Sequence, residues 1–171
     1  MRLRMSLYPM VLQMKKLLGS LDGFLEKASS YAAAKKVDQG VMMQLRLTPD
    51  MFPFVRQVQA TCDQAKYAVG RTTGKDIPAH PDTEQTVDDL KKRIASVISY
   101  LDSFSERDFA ELDARTVTTP RWEGKSLTAT NYFIEHAMPN FFFHLTSAYA
   151  ILRANGVEIG KRDYLGALTW R

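Results

Sequence analysis

The stretch LTATNYFIEHAMPNFFFHLTSAYAILRAN, residues 127–155, determines the fold class. Its apolar residues recur at three- and four-residue steps, which is the spacing of a buried helix face. Pro139 predicts a kink in this helix, because proline lacks a backbone N–H and crowds the preceding turn. Asn155 and Gly156 predict a left-handed helix end. The segment therefore indicates one long and strongly apolar helix.

Three earlier segments show the same helical periodicity. Asp50 is the expected N-cap of the second helix, with Pro53 in its first turn. Asp82 and Gln85 resemble a capping box at the start of the third. The four predicted helices cover about residues 9–34, 50–69, 82–104 and 127–155.

The connectors between these helices are long. Residues 35–51 contain a predicted helical turn, 70–81 form a polar turn region, 105–112 add a short helix, and 113–126 form an extended excursion. The aromatic and apolar tail, 157–171, is expected to pack on the bundle or on a second subunit. The prediction is an all-α four-helix bundle with long connectors and a packed C-terminal tail, forming a single domain over 1–171. Gly19 and Gly23 in the first helix predict a tight helix crossing.

Composition excludes several classes of protein. Cys62 is the only cysteine, so an internal disulfide framework is excluded and a reducing compartment is favoured. Polar residues interrupt any signal-peptide core near the N-terminus, and no run reaches the roughly 18 apolar residues of a membrane span. We therefore expect a cytoplasmic protein without membrane insertion. The net charge is +4, but basic and acidic residues are interspersed, so nucleic-acid binding is not favoured.

Candidate chemistry concentrates on the fourth helix. His136, Asn140 and His144 follow one another at four-residue steps, so their side chains lie about 40° apart per step. Two imidazoles and a carboxylate from a facing helix can form an open site for zinc, nickel or iron. Asp63, on the second helix, is the natural carboxylate. A metal, Lys66 or a histidine would supply the partner that a buried carboxylate requires.

An ordinary structural role is the alternative for each of these residues. His136 would be solvated or capping, Asn140 would bond backbone freed by Pro139, and His144 would pair with Asp63 inside the bundle. Cys62 is expected to fill the core rather than act as a nucleophile. His80 lies between Ala79 and Pro81 in a turn and is expected to be exposed. At least one ring of the run 141–143 must face another helix, the tail or a second chain, which favours a homodimer.

Several motifs together resemble a bacterial family of unknown function in the DinB/YfiT-like superfamily of metalloenzymes. The resemblance extends from Met5 to near the C-terminus. It implies that Met5 is the usual start, which would make residues 1–4 an upstream extension. The motifs are MSLY (5–8), LTPDMFP (47–53), PNFFFH (139–144), AYAILR (148–153), NGV (155–157) and GKRDYLG (160–166).

The resemblance implies a DinB-like bundle, often dimeric, with a divalent metal held by three histidines. Two of these stand four residues apart on the last helix, where this chain has Asn140 and His144. The third belongs to the second helix near residues 57–63, where this chain has no histidine. The superfamily activities include thiol transfer and isomerisation on a metal-bound thiolate. Because this chain departs from the three-histidine pattern, the resemblance is a weak basis for expecting these activities in it.

Together these observations predict a pocket between the second and fourth helices for a divalent metal or a small molecule. Its metal ligands would be Asp63, Asn140 and His144. His144 would serve as ligand or general base, with Asp63 as its partner, in thiol transferase-like or hydrolase-like chemistry. Gln57, Gln59 and His136 are expected at the margin. The alternatives are a non-catalytic dimeric binding or stress-associated bundle that has lost the metal, and a DNA-damage-associated nucleic-acid binder.

Overall fold

The computed structural model describes residues 6–112 and 114–170. The start of the chain, including the extension expected at residues 1–4, lies outside the described residues, as does Asp113 at the start of the extended excursion. Four helices form the bundle: α1 (Tyr8–Lys35), α3 (Phe54–Thr73), α4 (Val87–Asp102) and α6 (Met138–Ala154). Shorter helices are α2 (Gln39–Met43), α5 (Ala129–Asn131) and α7 (Lys161–Leu165).

The remaining elements are short. A π-helical segment, Tyr132–Ala137, joins α5 to α6 without a break. Two 3-10 turns cover Glu106–Phe109 and Pro120–Trp122. Strands β1 (Thr116–Val117) and β2 (Leu127–Thr128) pair antiparallel, with Thr116 opposite Thr128. The extended excursion predicted near residue 116 therefore contains a short antiparallel ribbon with two residues in each strand.

The bundle packs around α3, whose most extensive partner is α6, while α1 and α4 close the other side. The core consists of the periodic apolar positions of all four helices, and Phe24, Phe54, Phe133 and Phe141 are fully buried in it. The predicted all-α bundle is confirmed. Among residues 6–112 and 114–170, no helix has the length and apolarity needed to cross a bilayer.

Two predicted helix starts are wrong by about four residues. Helix α3 begins at Phe54 after Pro53, because Asp50 accepts a hydrogen bond from the Thr48 hydroxyl (2.7 Å) within its own turn. Helix α4 begins after Thr86, which forms a capping box with Asp89. The residue predicted for that role, Asp82, instead forms ion pairs with arginines.

Pro139 changes the helix before it. The backbone widens to a π-turn over Tyr132–Ala137, and the Met138 N–H reaches back five residues to the Phe133 carbonyl. The wider turn accommodates a residue that cannot donate a backbone hydrogen bond. Such π-turns often occur at functional sites. The helix ends with Gly156 at φ +91°, which confirms the predicted left-handed end.

The tight crossing predicted at Gly19 and Gly23 is wrong. Both glycines are exposed, and a Cβ built on either meets no other atom within 4 Å. They line an open groove between α1 and α7. The tail nevertheless packs on the bundle through buried Val157 and Ile159.

Candidate functional site

A cavity of about 450 Å³ lies between α3 and the segment formed by the π-turn and α6, and residues 119–122 cover one side of it. Four of the predicted site residues line it: Asp63 from α3, and His136, Asn140 and His144 from the facing segment. The volume is within the range of small-molecule sites, about 300–1,000 Å³. The structure therefore brings these four predicted residues to one cavity.

Gln57 holds His144 in place. Its side chain is buried, and its Oε1 lies 2.8 Å from Nδ1 of His144, while its Nε2 donates to the Phe52 carbonyl at 3.4 Å. Because the amide nitrogen is used toward a carbonyl, the amide oxygen accepts from His144 Nδ1–H. His144 is therefore assigned the Nδ1–H tautomer, which leaves a lone pair on Nε2. The Phe52 ring stacks on this imidazole, with centroids 6.3 Å apart.

Asn140 and His136 are linked through the backbone. Asn140 Nδ2 donates to the His136 carbonyl at 2.7 Å, in the turn that precedes Pro139. This agrees with the alternative in which Asn140 bonds backbone near Pro139. The His136 ring is neither freely solvated nor a cap, because it stacks on Tyr132 (5.4 Å) and contacts the edge of Trp122 (5.2 Å).

Asp63 does not pair with His144. The sequence predicted that pair both for a metal or catalytic site and for a purely structural contact inside the bundle. Its Oδ1 lies 2.7 Å from Arg93 Nη2 and 3.0 Å from Lys66 Nζ. Arg93 and Lys66 are both buried, with exposed fractions of 3% and 2%. Lys66 was among the predicted partners, whereas Arg93 was missed. Arg93 comes from α4, and only the fold brings it to α3.

The ion network extends away from the cavity to the connector before α4. Glu84 Oε1 accepts from Arg93 Nη1 at 2.9 Å, and Glu84 Oε2 accepts from Gln59 Nε2 at 2.8 Å. Gln59 thus belongs to this network and not to the cavity margin where it was predicted. His80 is half-buried, contrary to the expected exposure, because its ring lies 3.2 Å from Lys66 Nζ and 2.9 Å from Ser96 Oγ.

The two cavity histidines are held neutral near pH 7. Burial lowers the pKa of His144, and the Arg56 guanidinium lowers it further, while Asp63 acts in the opposite direction. Burial also lowers the pKa of His136, with a contribution from Arg71. A neutral imidazole has one donor and one acceptor nitrogen. Both rings can therefore form directional hydrogen bonds to a bound molecule.

Arginines and aromatic rings complete the cavity, and the sequence analysis missed them. The arginines are Arg56, Arg71 and Arg121, and the rings are Phe52, Tyr67 and Trp122. Arg71 lies over the Tyr67 ring at 4.1 Å from its centroid. Arg56, Tyr67 and Arg71 share helical spacing with Asp63 on α3, and this spacing is the signal that could have found them. Trp122 and Arg121 come from the excursion, and nothing local in the sequence indicates where it folds back.

Two cavity-lining side chains have buried polar atoms without a partner. Within the part of the chain that the structure describes, Nδ1 of His136 and Oε1 of Gln64 accept or donate no hydrogen bond. An unsatisfied buried polar group costs about 1–3 kcal/mol, so such atoms require an explanation. Both side chains belong to residues that line the cavity, so a small turn of either toward a bound molecule would give its polar atom a partner.

The cavity residues do not fit a divalent metal. Among residues 6–112 and 114–170, no three His, Cys, Asp or Glu side chains are close enough to hold one. His144 Nε2 is one good nitrogen donor, but Asn140 offers only a neutral amide oxygen, and Asp63 is engaged by two buried cations. Three strong ligands are the minimum for an open zinc site. The donor set of this chain falls short of it.

Cys62 is fully buried beside Asp63 and is a free thiol. Burial raises its pKa to about 12, while Arg93 lowers it by a smaller amount and Asp63 adds to the increase. Only a thiolate is a good nucleophile. The residue therefore fills the core.

Comparison with known proteins identifies the family. Residues 7–165 match the model of a domain of unknown function, DUF1993. The chain belongs to the DUF1993 family. The crystal structure of a DinB family member protein from Shewanella denitrificans is similar to this DUF1993 chain, with 49% identity and a TM-score of 0.93 over 96% of this chain and 94% of that one. Comparison with curated proteins gives no match. The fold of this DUF1993 protein is therefore DinB-like, as the sequence motifs predicted.

Proposed function

We propose that this DUF1993 chain is a small-molecule-binding protein that uses the cavity between α3 and α6 without a divalent metal. The observation that carries the proposal is a ligand-sized cavity lined by His136 and Gln64, two residues whose side chains each contain a buried polar atom without a partner. The π-turn that contains His136 supports it, because such turns are frequent at functional sites.

The metal-binding alternative depends on the same residues and makes a different prediction. In that alternative, His144 Nε2 and Asn140 Oδ1 bind zinc, nickel or iron. Gln57 would then orient the imidazole through its Nδ1–H, as outer partners of metal-bound histidines do. We favour the metal-free pocket because the third strong ligand is missing. For the same reason, we do not propose thiol transfer or hydrolysis through a metal for this chain.

One experiment separates the two. Protein purified without a histidine tag is analysed for zinc, nickel and iron, and is then titrated with small neutral, cationic and anionic molecules. Histidine side-chain NMR resonances report on the cavity. We expect less than stoichiometric metal, and shifts of His136 and His144 but not of His80, which lies outside the cavity. Stoichiometric metal that is lost in His144→Ala would overturn the proposal.

The homodimer stays a prediction. Sedimentation velocity over a range of protein concentrations tests it. Phe143 is 56% exposed next to His144, so Phe143→Ser is the first variant to examine if a dimer is found.

A further inference from the structure

The side chains around the cavity between α3 and α6 carry an excess of positive charge. Arg56, Arg71 and Arg121 line it, against the single carboxylate of Asp63. Lys66 and Arg93 both contact that carboxylate at 3.0 Å or less from behind the cavity wall. The carboxylate is therefore already compensated inside the protein. Asp63 therefore does not compensate the charge of the arginines on the cavity surface.

The three arginines differ in how far they are engaged. Arg56 forms an ion pair with Asp82 and lies over the Phe52 ring. Arg71 has no carboxylate in salt-bridge range among residues 6–112 and 114–170, and its guanidinium lies over the Tyr67 ring instead, 4.1 Å from the centroid. A guanidinium has five N–H donors, so contact with a ring and an interaction with the Tyr132 hydroxyl leave donors available for a bound molecule. Arg71 is therefore the arginine best prepared for an added acceptor.

The position of Arg71 relates it to the unsatisfied histidine. Its charge is close enough to lower the pKa of His136. Burial raises the pKa of Tyr132, whose ring stacks on that of His136, and the charge of Arg71 acts against that increase. A ligand oxygen that accepts from Arg71 would lie near His136. The indole of Trp122, in edge contact with His136, provides a flat apolar wall beside the same position.

We infer that the ligand is an organic oxyanion carrying a planar ring, with a carboxylate or phosphate paired to Arg71 and the ring packed beside Trp122. Carboxylates and phosphates both match the fork of N–H donors on a guanidinium, and a charge-assisted hydrogen bond is about twice as strong as a neutral one. Aromatic walls favour a flat partner through offset or edge contacts. This inference rests on the proposed small-molecule function and specifies the class of molecule.

Three probes of nearly equal size test it: benzoate, phenyl phosphate and neutral benzamide. The readout is fluorescence of Trp122 in a Trp170→Phe background, which removes the other tryptophan, an 83% exposed residue far along the tail. We expect one of the two anions to bind at least about tenfold more tightly than benzamide, the ratio expected for one charge-assisted hydrogen bond. Comparison of benzoate with phenyl phosphate identifies the anionic group.

Matched variants locate the anion. Arg71→Gln should weaken binding of the anion about tenfold and leave that of benzamide unchanged, whereas Arg153→Gln, an exposed arginine on α6, should change neither. If Arg71→Gln fails to melt cooperatively, Arg121→Gln tests the same side of the cavity. Equal affinity for benzoate, phenyl phosphate and benzamide would overturn the oxyanion inference alone. No response of Trp122 to any probe, together with unshifted histidine resonances, would overturn the proposed function as well.

Discussion

The amide of Gln57 lies 2.8 Å from the imidazole of His144, at the position where the superfamily resemblance leads one to expect a second-helix metal ligand. The hydrogen bond joins α3 to α6 and fixes the ring that faces the cavity. A glutamine side chain thus orients His144 directly, without a metal between them.

Replacing Gln57 with methionine should release that ring. The Nδ1–H of the half-buried His144 would lose its acceptor, so we expect a loss of about 1–3 kcal/mol in the free energy of unfolding and a shift toward the Nε2–H tautomer. Urea unfolding and nitrogen chemical shifts of the histidine rings measure the two effects. Gln85→Met, at an exposed position, is the control and should leave both unchanged. An unchanged tautomer would contradict the assignment made from the geometry.

Histidine substitutions should restore a metal site. Gln57→His combined with Asn140→His places three imidazoles where two amides and one imidazole stand, and imidazole is a much better ligand for zinc or nickel than an amide. We expect the double variant to bind about one equivalent of nickel and the parent protein to bind less, as measured by elemental analysis after dialysis. The triple variant that adds His144→Ala is the control and should lose the metal. Metal in the parent protein at the level of the double variant would contradict the conclusion that the cavity residues do not fit a divalent metal.

Acidification should destabilise the protein through its histidines. Burial lowers the pKa of all three, His80, His136 and His144, below the ordinary value of 6.5. The unfolded chain therefore binds protons first, so the stabilisation is complete above about pH 6.5 and is lost as pH falls through the folded-state pKa values. We expect the midpoint of thermal unfolding to decrease between pH 7 and 5, and the decrease to be smaller in His144→Gln. Histidine proton shifts followed by NMR check the three titrations separately.

Arg93 should be the most costly single charge to remove. Its side chain is 1% exposed and contacts both Asp63 and Glu84, whose side chains are 14% and 10% exposed. Arg93→Met leaves these carboxylates without their main partner, and breaking a buried ion pair from one side costs about 3–5 kcal/mol. Urea unfolding of this variant and of Lys92→Met, its exposed neighbour on α4, measures the difference. Equal stability of the two variants would show that the network contributes little.

Alanine at Gly19 or Gly23 should stabilise α1. Each glycine lies inside the helix, and a Cβ at either position meets open space. Glycine costs about 0.5–1 kcal/mol relative to alanine in a helix interior, so each substitution should raise the free energy of unfolding by up to that amount. Thermal and urea unfolding measure it. Gly156→Ala is the opposing control, because its φ of +91° and the nearby Tyr31 hydroxyl should make alanine destabilising there.

Helical periodicity predicted the bundle and three of the residues that matter most for the cavity. Asn140 and His144 share a face with the core of α6, and Asp63 follows the buried Cys62 on α3, so spacing alone located them. The start of α3 at Phe54 was missed because this helix follows Pro53 without any side-chain cap. The start of α4 after Thr86 was missed because two acceptable capping patterns lie four residues apart. Only tertiary contacts decided between them.

The parts of the site that the sequence could not provide come from outside the two helices. Arg93 reaches Asp63 from α4, and Trp122 reaches His136 from a connector of no regular pattern. The π-turn also rotates His136 relative to the residues after Pro139, so uniform four-residue steps could not describe its direction. Contacts between side chains of different elements can be known only from the fold, whereas the residues that share one helix face can be predicted from the sequence.

The inert thiol of Cys62 makes this chain a convenient host for spectroscopic labels. Because that sulfur is enclosed and stays protonated at neutral pH, a cysteine introduced at an exposed site such as Ala33 would be the sole group to react with a maleimide dye or a spin label. Distances between labelled positions could then be followed in the otherwise unaltered protein.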